Sequence, residues 1–237
     1  MAKLGVNIDH VATLREARHT YEPSPLEAAQ ECVAAGCDSI VCHLREDRRH
    51  IKDTDVVHLR ELVKTRLNLE MSIAPSIVDF ACKVLPDQAT LVPERRQEVT
   101  TEGGLDVKKN EARVKKVISK LLSRGIDVSL FINPSKEQIN ASVRVGAGIV
   151  EFHTGEYANA RGVKARQKQL KVLKRAARYA LRKGLEVNAG HGLNYGNVRA
   201  VAKIEGMHEL NIGHSIVSRA VFTGMRKAVA DMVRLAR

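Results

Sequence analysis

Eight short apolar segments punctuate the chain, at residues 4–9, 39–44, 67–72, 89–94, 127–133, 148–154, 186–189 and 208–213. Most are continuous apolar runs instead of alternating ones, as expected for parallel strands covered on both faces. Between them lie segments with helical spacing, at 25–35, 55–64, 75–84, 110–123, 135–145, 163–182, 196–203 and 215–235. Start and stop signals agree. Ser24-Pro25, Pro75 with Ser76, and Pro134-Ser135 stand at helix starts. Gly36, Gly125, Gly146 and Gly184 stand just past helix ends, where a left-handed residue closes the last turn.

Eight strand–helix units without a break in composition predict a single (β/α)8 TIM barrel spanning residues 1–237. A doubly wound open sheet would usually show a glycine-rich turn after its first strand, and Asn7-Ile8-Asp9-His10 has none. Residues 94–109 form a long polar connection after the fourth strand. It contains Glu98-Val99-Thr100-Thr101-Glu102-Gly103-Gly104, a candidate lid over a catalytic face. Residues 155–162 read as a smaller cover, and 16–24 as a polar loop.

Composition narrows the function classes. Hydrophobic residues make up 44%, enough for a sizeable core, and no apolar run is long enough to span a membrane. The first residues lack the apolar stretch of a secretory signal, so the expected address is the cytoplasm. Cys32, Cys37, Cys42 and Cys82 form no C-x-x-C pair and read as reduced thiols in packing. The net charge of +12 suggests nucleic acid. Its excess, however, falls at 108–124 and 161–183, where apolar helical spacing makes the charges wet faces of amphipathic helices. Aromatics are 3%, leaving little to stack on bases, so no nucleic-acid partner is expected. A positive field equally favours small phosphorylated substrates.

In a barrel of this kind, reactive groups come from the C-terminal ends of the strands. Those ends carry Asn7, Asp9 and His10; His43 and Arg45; Glu70; Glu94; Glu151 and His153; Asn188, Gly190, His191 and Gly192; and Asn211, Gly213 and His214. Five of the nine histidines stand there. A carboxylate amid apolar neighbours, such as Glu70 or Glu151, should have a raised pKa suited to proton transfer. The alternatives are an ion pair of Glu70 with Arg45, and a Glu151 that only orients a histidine. The glycine-rich turns around His191 and His214 offer backbone N–H groups to a phosphate. Arg18, Arg45, Arg48, Arg49 and His50 make a second cationic set. No strand end carries a lysine, which argues against Schiff-base chemistry on an enzyme amine. A metal held by His10, His43, Glu70 and His191 stays open at this point.

Several stretches carry a specific resemblance: Gly5-Val6-Asn7-Ile8-Asp9-His10, His43-Leu44-Arg45-Glu46-Asp47-Arg48-Arg49-His50, Asn68-Leu69-Glu70-Met71, Arg96-Gln97-Glu98-Val99-Thr100-Thr101-Glu102-Gly103-Gly104, Val187-Asn188-Ala189-Gly190-His191-Gly192-Leu193 and His208-Glu209-Leu210-Asn211-Ile212-Gly213-His214. Through them the chain resembles the pyridoxine 5'-phosphate synthase family of bacterial vitamin B6 biosynthesis. The resemblance implies condensation of 1-deoxy-D-xylulose 5-phosphate with 3-amino-2-oxopropyl phosphate, with no metal or organic cofactor. It implies His43 and Glu70 as proton acceptors, His191 as proton donor and Glu151 as a transition-state stabiliser. Asn7, Arg18, Gly192, Gly213 and His214 would hold the amino-ketone phosphate. Asp9, His10, Arg45, His50 and Thr100 would hold the deoxyxylulose phosphate. A homo-octamer, built as a tetramer of dimers, is also implied.

Overall fold

The computed structural model describes residues 1–94 and 103–237. The strands are β1 Lys3–Asn7, β2 Ser39–Leu44, β3 Arg66–Met71, β4 Gln88–Leu91, β5 Asp127–Ile132, β6 Ile149–His153, β7 Glu186–Gly190 and β8 Met207–Ile212. Each pairs in parallel with the next, and β8 closes on β1, giving the expected (β/α)8 barrel. The helices are α1 Asp9–Arg18, α2 Pro25–Ala34, α3 Asp53–Leu62, α4 Pro75–Val84, α5 Glu111–Leu122, α6 Lys136–Arg144, α7 Gly155–Asn159, α8 Val163–Arg182, α9 Val198–Ala202, α10 His214–Thr223 and α11 Met225–Ala236.

The structure corrects the sequence reading in two places. The stretch read as a polar loop from residue 16 is, up to Arg18, the end of α1. Its buried side is only Val11, Ala12 and Arg15 with Asp9, too thin a stripe to stand out. The single helix expected at 215–235 is two, because Gly224 at φ 80° ends α10 and starts α11. The cover expected at 155–162 is in part the short helix α7. The expected lid falls largely on residues 95–102, outside the described residues.

The strands also alternate more than their sequences suggest. Outward-facing Leu4, Val6, Ile40, Cys42, Leu44, Leu67, Leu69, Met71, Leu130, Phe152 and Leu210 join one continuous core with the helices. Inward positions, two residues apart along each strand, are largely polar: Ser39, Asn68, Thr90, Ser129, Asn188 and Glu209 are all buried. They satisfy one another in part. Thr90 donates to Asn68 at 2.8 Å, and Ser39 to Glu209 at 3.1 Å. All four cysteines are free and buried. The charges of α5 and α8 face solvent, over buried Val114, Ile118 and Leu121 in one and Leu173, Ala176, Ala177 and Ala180 in the other. No helix among the described residues is long and apolar enough to cross a membrane.

Candidate active site

The parallel register sets the site. It places His43 beside Glu70 across β2 and β3. It places Glu151 between Phe131 and Asn188, and His153 beside Gly190. The two carboxylates therefore stand three strands apart around the barrel mouth.

Asn7 organises one wall. Its side-chain amide donates to Asp9 at 3.0 Å and to Glu70 at 3.4 Å, and its oxygen accepts the Asp9 N–H at 3.0 Å. Asp9 in turn accepts the backbone N–H of His43 at 2.8 Å. Glu70 thus bonds Asn7, and the ion pair with Arg45 considered from sequence does not form among the described residues. Burial raises the Glu70 carboxyl well above the ordinary value, and the nearby acids Glu151 and Asp9 push the same way. On the facing wall Glu151 is 1% exposed and takes its hydrogen bond from Asn211 at 2.7 Å. Burial still pushes its carboxyl up to about 8, against the effect of that bond. Carboxyls shifted upward in this way are suited to general acid–base work. Gly190 leaves room for Glu151, since a Cβ there would stand 2.1 Å from its Oε1.

The Arg45–His50 loop packs beside them. Arg45 is buried next to Glu94 and Asp47. Glu94 also lies 3.8 Å from the His43 ring. The half-buried His50 ring is 6.2 Å from that of His43. Its Nδ1 accepts the Ile51 N–H at 2.8 Å, so a neutral His50 offers Nε2–H to a ligand. Arg15 underpins the loop. It forks onto Asp55 at 2.7 and 2.8 Å and donates to the His50 carbonyl at 3.0 Å. Sequence reasoning missed Arg15, though its spacing from Val11 and Ala12 marks one helical face.

The turn after β7 is strained. His191 has φ 76°, uncommon for a residue other than glycine, and Gly192 follows at 77°. Thr154 holds this turn: its hydroxyl faces the carbonyls of Gly190 at 2.7 Å and His191 at 2.6 Å. Thr154 was not singled out from sequence, and only its place after a strand-end histidine hints at it. The His153 ring lies 4.9 Å from that of His191. Burial, aided by His191, pulls His153 down to about 4, and burial also lowers His191. His10 and His214 stand in the first turns of α1 and α10, which follow the adjacent strands β1 and β8, with rings edge to face at 5.2 Å. Gly213 closes against Asn7, whose Oδ1 would lie 2.9 Å from an added Cβ.

The structure thus gathers Asn7, Asp9, His10, His43, Arg45, His50, Glu70, Glu151, His191, Gly192, Gly213 and His214 at the strand ends. Arg18 is exposed at the end of α1, and its side chain has no hydrogen-bond partner among the described residues. Thr100 lies outside the described residues. His208, near the start of β8, sits on the opposite rim against Glu186 and Lys3. Asp9, His43 and Glu70 bring three ligand atoms within 4.8 Å of one another, a geometry a metal ion could use. Both Asp9 oxygens are already engaged, by His43 N–H and by Asn7.

Solved structures share the fold at low identity. A thiamine phosphate pyrophosphorylase from Pyrococcus furiosus superposes with a TM-score of 0.63 at 17% identity, covering 99% of this chain and 95% of its own. A phosphoribosyl anthranilate isomerase gives 0.62 at 13%, covering 100% and 98%. Sequence relatives are far nearer. A protein from Geobacter sulfurreducens named pyridoxine 5'-phosphate synthase is 55% identical over 237 residues, covering 100% of this chain and 99% of the relative. One of the same name from a Synechococcus strain is 56% identical over 232 residues, covering 98% and 97%. The family model described as pyridoxal phosphate biosynthesis protein PdxJ matches residues 4–237, and the chain belongs to that family.

Proposed function

We propose that the chain is a pyridoxine 5'-phosphate synthase, joining 1-deoxy-D-xylulose 5-phosphate to 3-amino-2-oxopropyl phosphate. Pyridoxine 5'-phosphate, inorganic phosphate and water leave. The substrate's own amine forms the imine, so the enzyme needs proton transfer and shelter from water more than a nucleophile of its own. One observation carries the reading: two carboxyls that burial pushes upward, Glu70 and Glu151, share a barrel mouth with His43 and His191.

In this reading His43 and Glu70 accept protons from the condensing substrates, and His191 donates one to the departing group. Glu151 stabilises charge as the ring closes. Free N–H groups in the first turn of α10, with Asn7, Arg18, Gly192, Gly213 and His214, hold the amino-ketone phosphate. Asp9, His10, Arg45, His50 and Thr100 hold the other phosphate. An arriving dianion would favour the protonated form of His191, offsetting the effect of burial. Residues 1–237 work as one catalytic domain in the cytoplasm, assembled as a homo-octamer.

The test is to incubate the protein with both phosphates, and with each alone. Phosphate release and a new pyridine absorbance only in the mixture support the reading, and neither in the mixture refutes it. The Asp9, His43 and Glu70 grouping favours a second reading, a metal-dependent barrel lyase. Turnover lost on chelation and restored by a divalent metal would favour that reading instead.

A further inference from the structure

His43 Nε2 and Glu94 Oε2 lie 3.8 Å apart, both shut away from solvent, and neither has a hydrogen bond. Buried polar atoms in folded proteins are nearly always bonded. Two that face each other mark a bond needing only about 1 Å of approach. The rest of each residue is anchored so as to keep them facing. Glu94 Oε1 accepts the Glu46 N–H at 2.8 Å and lies 3.7 Å from the Arg45 guanidinium. The His43 backbone is tied to Asp9. Burial opposes charge on Glu94, but the His43 ring, the Glu46 N–H and the Arg45 charge outweigh it and hold the carboxyl below its ordinary value. A carboxylate can only accept, so the nitrogen that faces it must carry the proton.

We propose that Glu94 is a positioning residue for His43: it selects the Nε2–H tautomer, leaving the Nδ1 lone pair to take the substrate proton. The electron pair of the broken bond stays on the substrate. The imidazolium that forms is held against the Glu94 carboxylate, which keeps its charge and takes no proton. This rests on the reading of His43 as a proton acceptor in the synthase. It adds a residue with no role in that scheme, and names the nitrogen that acts.

Glu94→Gln tests it. The amide oxygen can still accept the Glu46 N–H, while its NH2 turns to Nε2 and demands the opposite tautomer. Nitrogen-15 spectra of the neutral protein, with the His43 signals assigned by their loss in His43→Asn, should show Nε2–H in the wild type and Nδ1–H in Glu94→Gln. kcat should fall about 100-fold, with KM for either phosphate within about a factor of three. Glu94→Asp, which keeps the charge, should lose less. A wild-type ring protonated on Nδ1 overturns the proposal. So does a Gln variant with full kcat and a raised KM, the sign that Glu94 merely braces the Arg45 loop. If the wild type fails to convert the two phosphates, the functional reading falls, and the tautomer still decides whether Glu94 governs the His43 ring. If the Gln variant does not fold, the wild-type spectrum decides alone.

Discussion

Asn211 donates its side-chain amide to Glu151 at 2.7 Å, inside a barrel where almost no water reaches either residue. That bond favours the carboxylate, yet burial wins, and the group holds its proton up to about pH 8. The site therefore keeps an acid in a place where solvent would leave an anion.

That arrangement lowers stability as pH rises. In the unfolded chain Glu151 ionises near 4.5, whereas the folded protein keeps the proton to about 8. Between those values unfolding releases a proton, so stability falls with increasing pH. Glu151→Gln has no such proton to lose. Urea titrations at pH 5 and pH 8 should show the variant gaining on the wild type by on the order of a few kcal/mol. A difference independent of pH would mean that folded Glu151 ionises as it does in water.

The Thr154 hydroxyl spans two carbonyls of the turn that carries His191. Thr154→Val keeps the shape and removes the donor. It should destabilise by about 1–2 kcal/mol, read from the denaturation midpoint. Once the left-handed turn is released, kcat should fall about 10-fold or more, with little change in KM. Unaltered kcat would show that the turn holds itself.

Arg15 and Asp55 have side chains only 10% and 13% exposed, so removing one strands the other. Arg15→Met should cost about 3 kcal/mol in unfolding free energy. Because Arg15 also holds the His50 carbonyl, KM for deoxyxylulose phosphate should rise more than KM for the amino-ketone. Equal changes in both would separate Arg15 from the phosphate grip of His50.

Much of this was legible in the chain. Parallel strands covered by helices leave apolar runs, and their ends announce themselves where Leu44 gives way to Arg45 or Gly213 to His214. Histidines and carboxylates at those ends point to the site because a fold with no task would leave them on helix faces. Other features stayed hidden for physical reasons. The polar barrel interior alternates with an apolar outer face, and Ser39 or Asn68 inside an apolar segment does not reveal which way it points. Helix α1 escaped notice because it buries one thin stripe. The contact of Glu94 with His43 joins residues about fifty positions apart and exists only once β2, β3 and β4 lie side by side.

Turnover by Glu70→Gln protein, mixed with both phosphates beside the wild type, decides most directly whether the barrel mouth does this chemistry. The wild type should release phosphate and build the pyridine. The variant keeps the shape of Glu70 but not its titrating carboxyl, and should do so at least about 100-fold more slowly. Turnover at the wild-type rate in the variant would contradict the role given to Glu70.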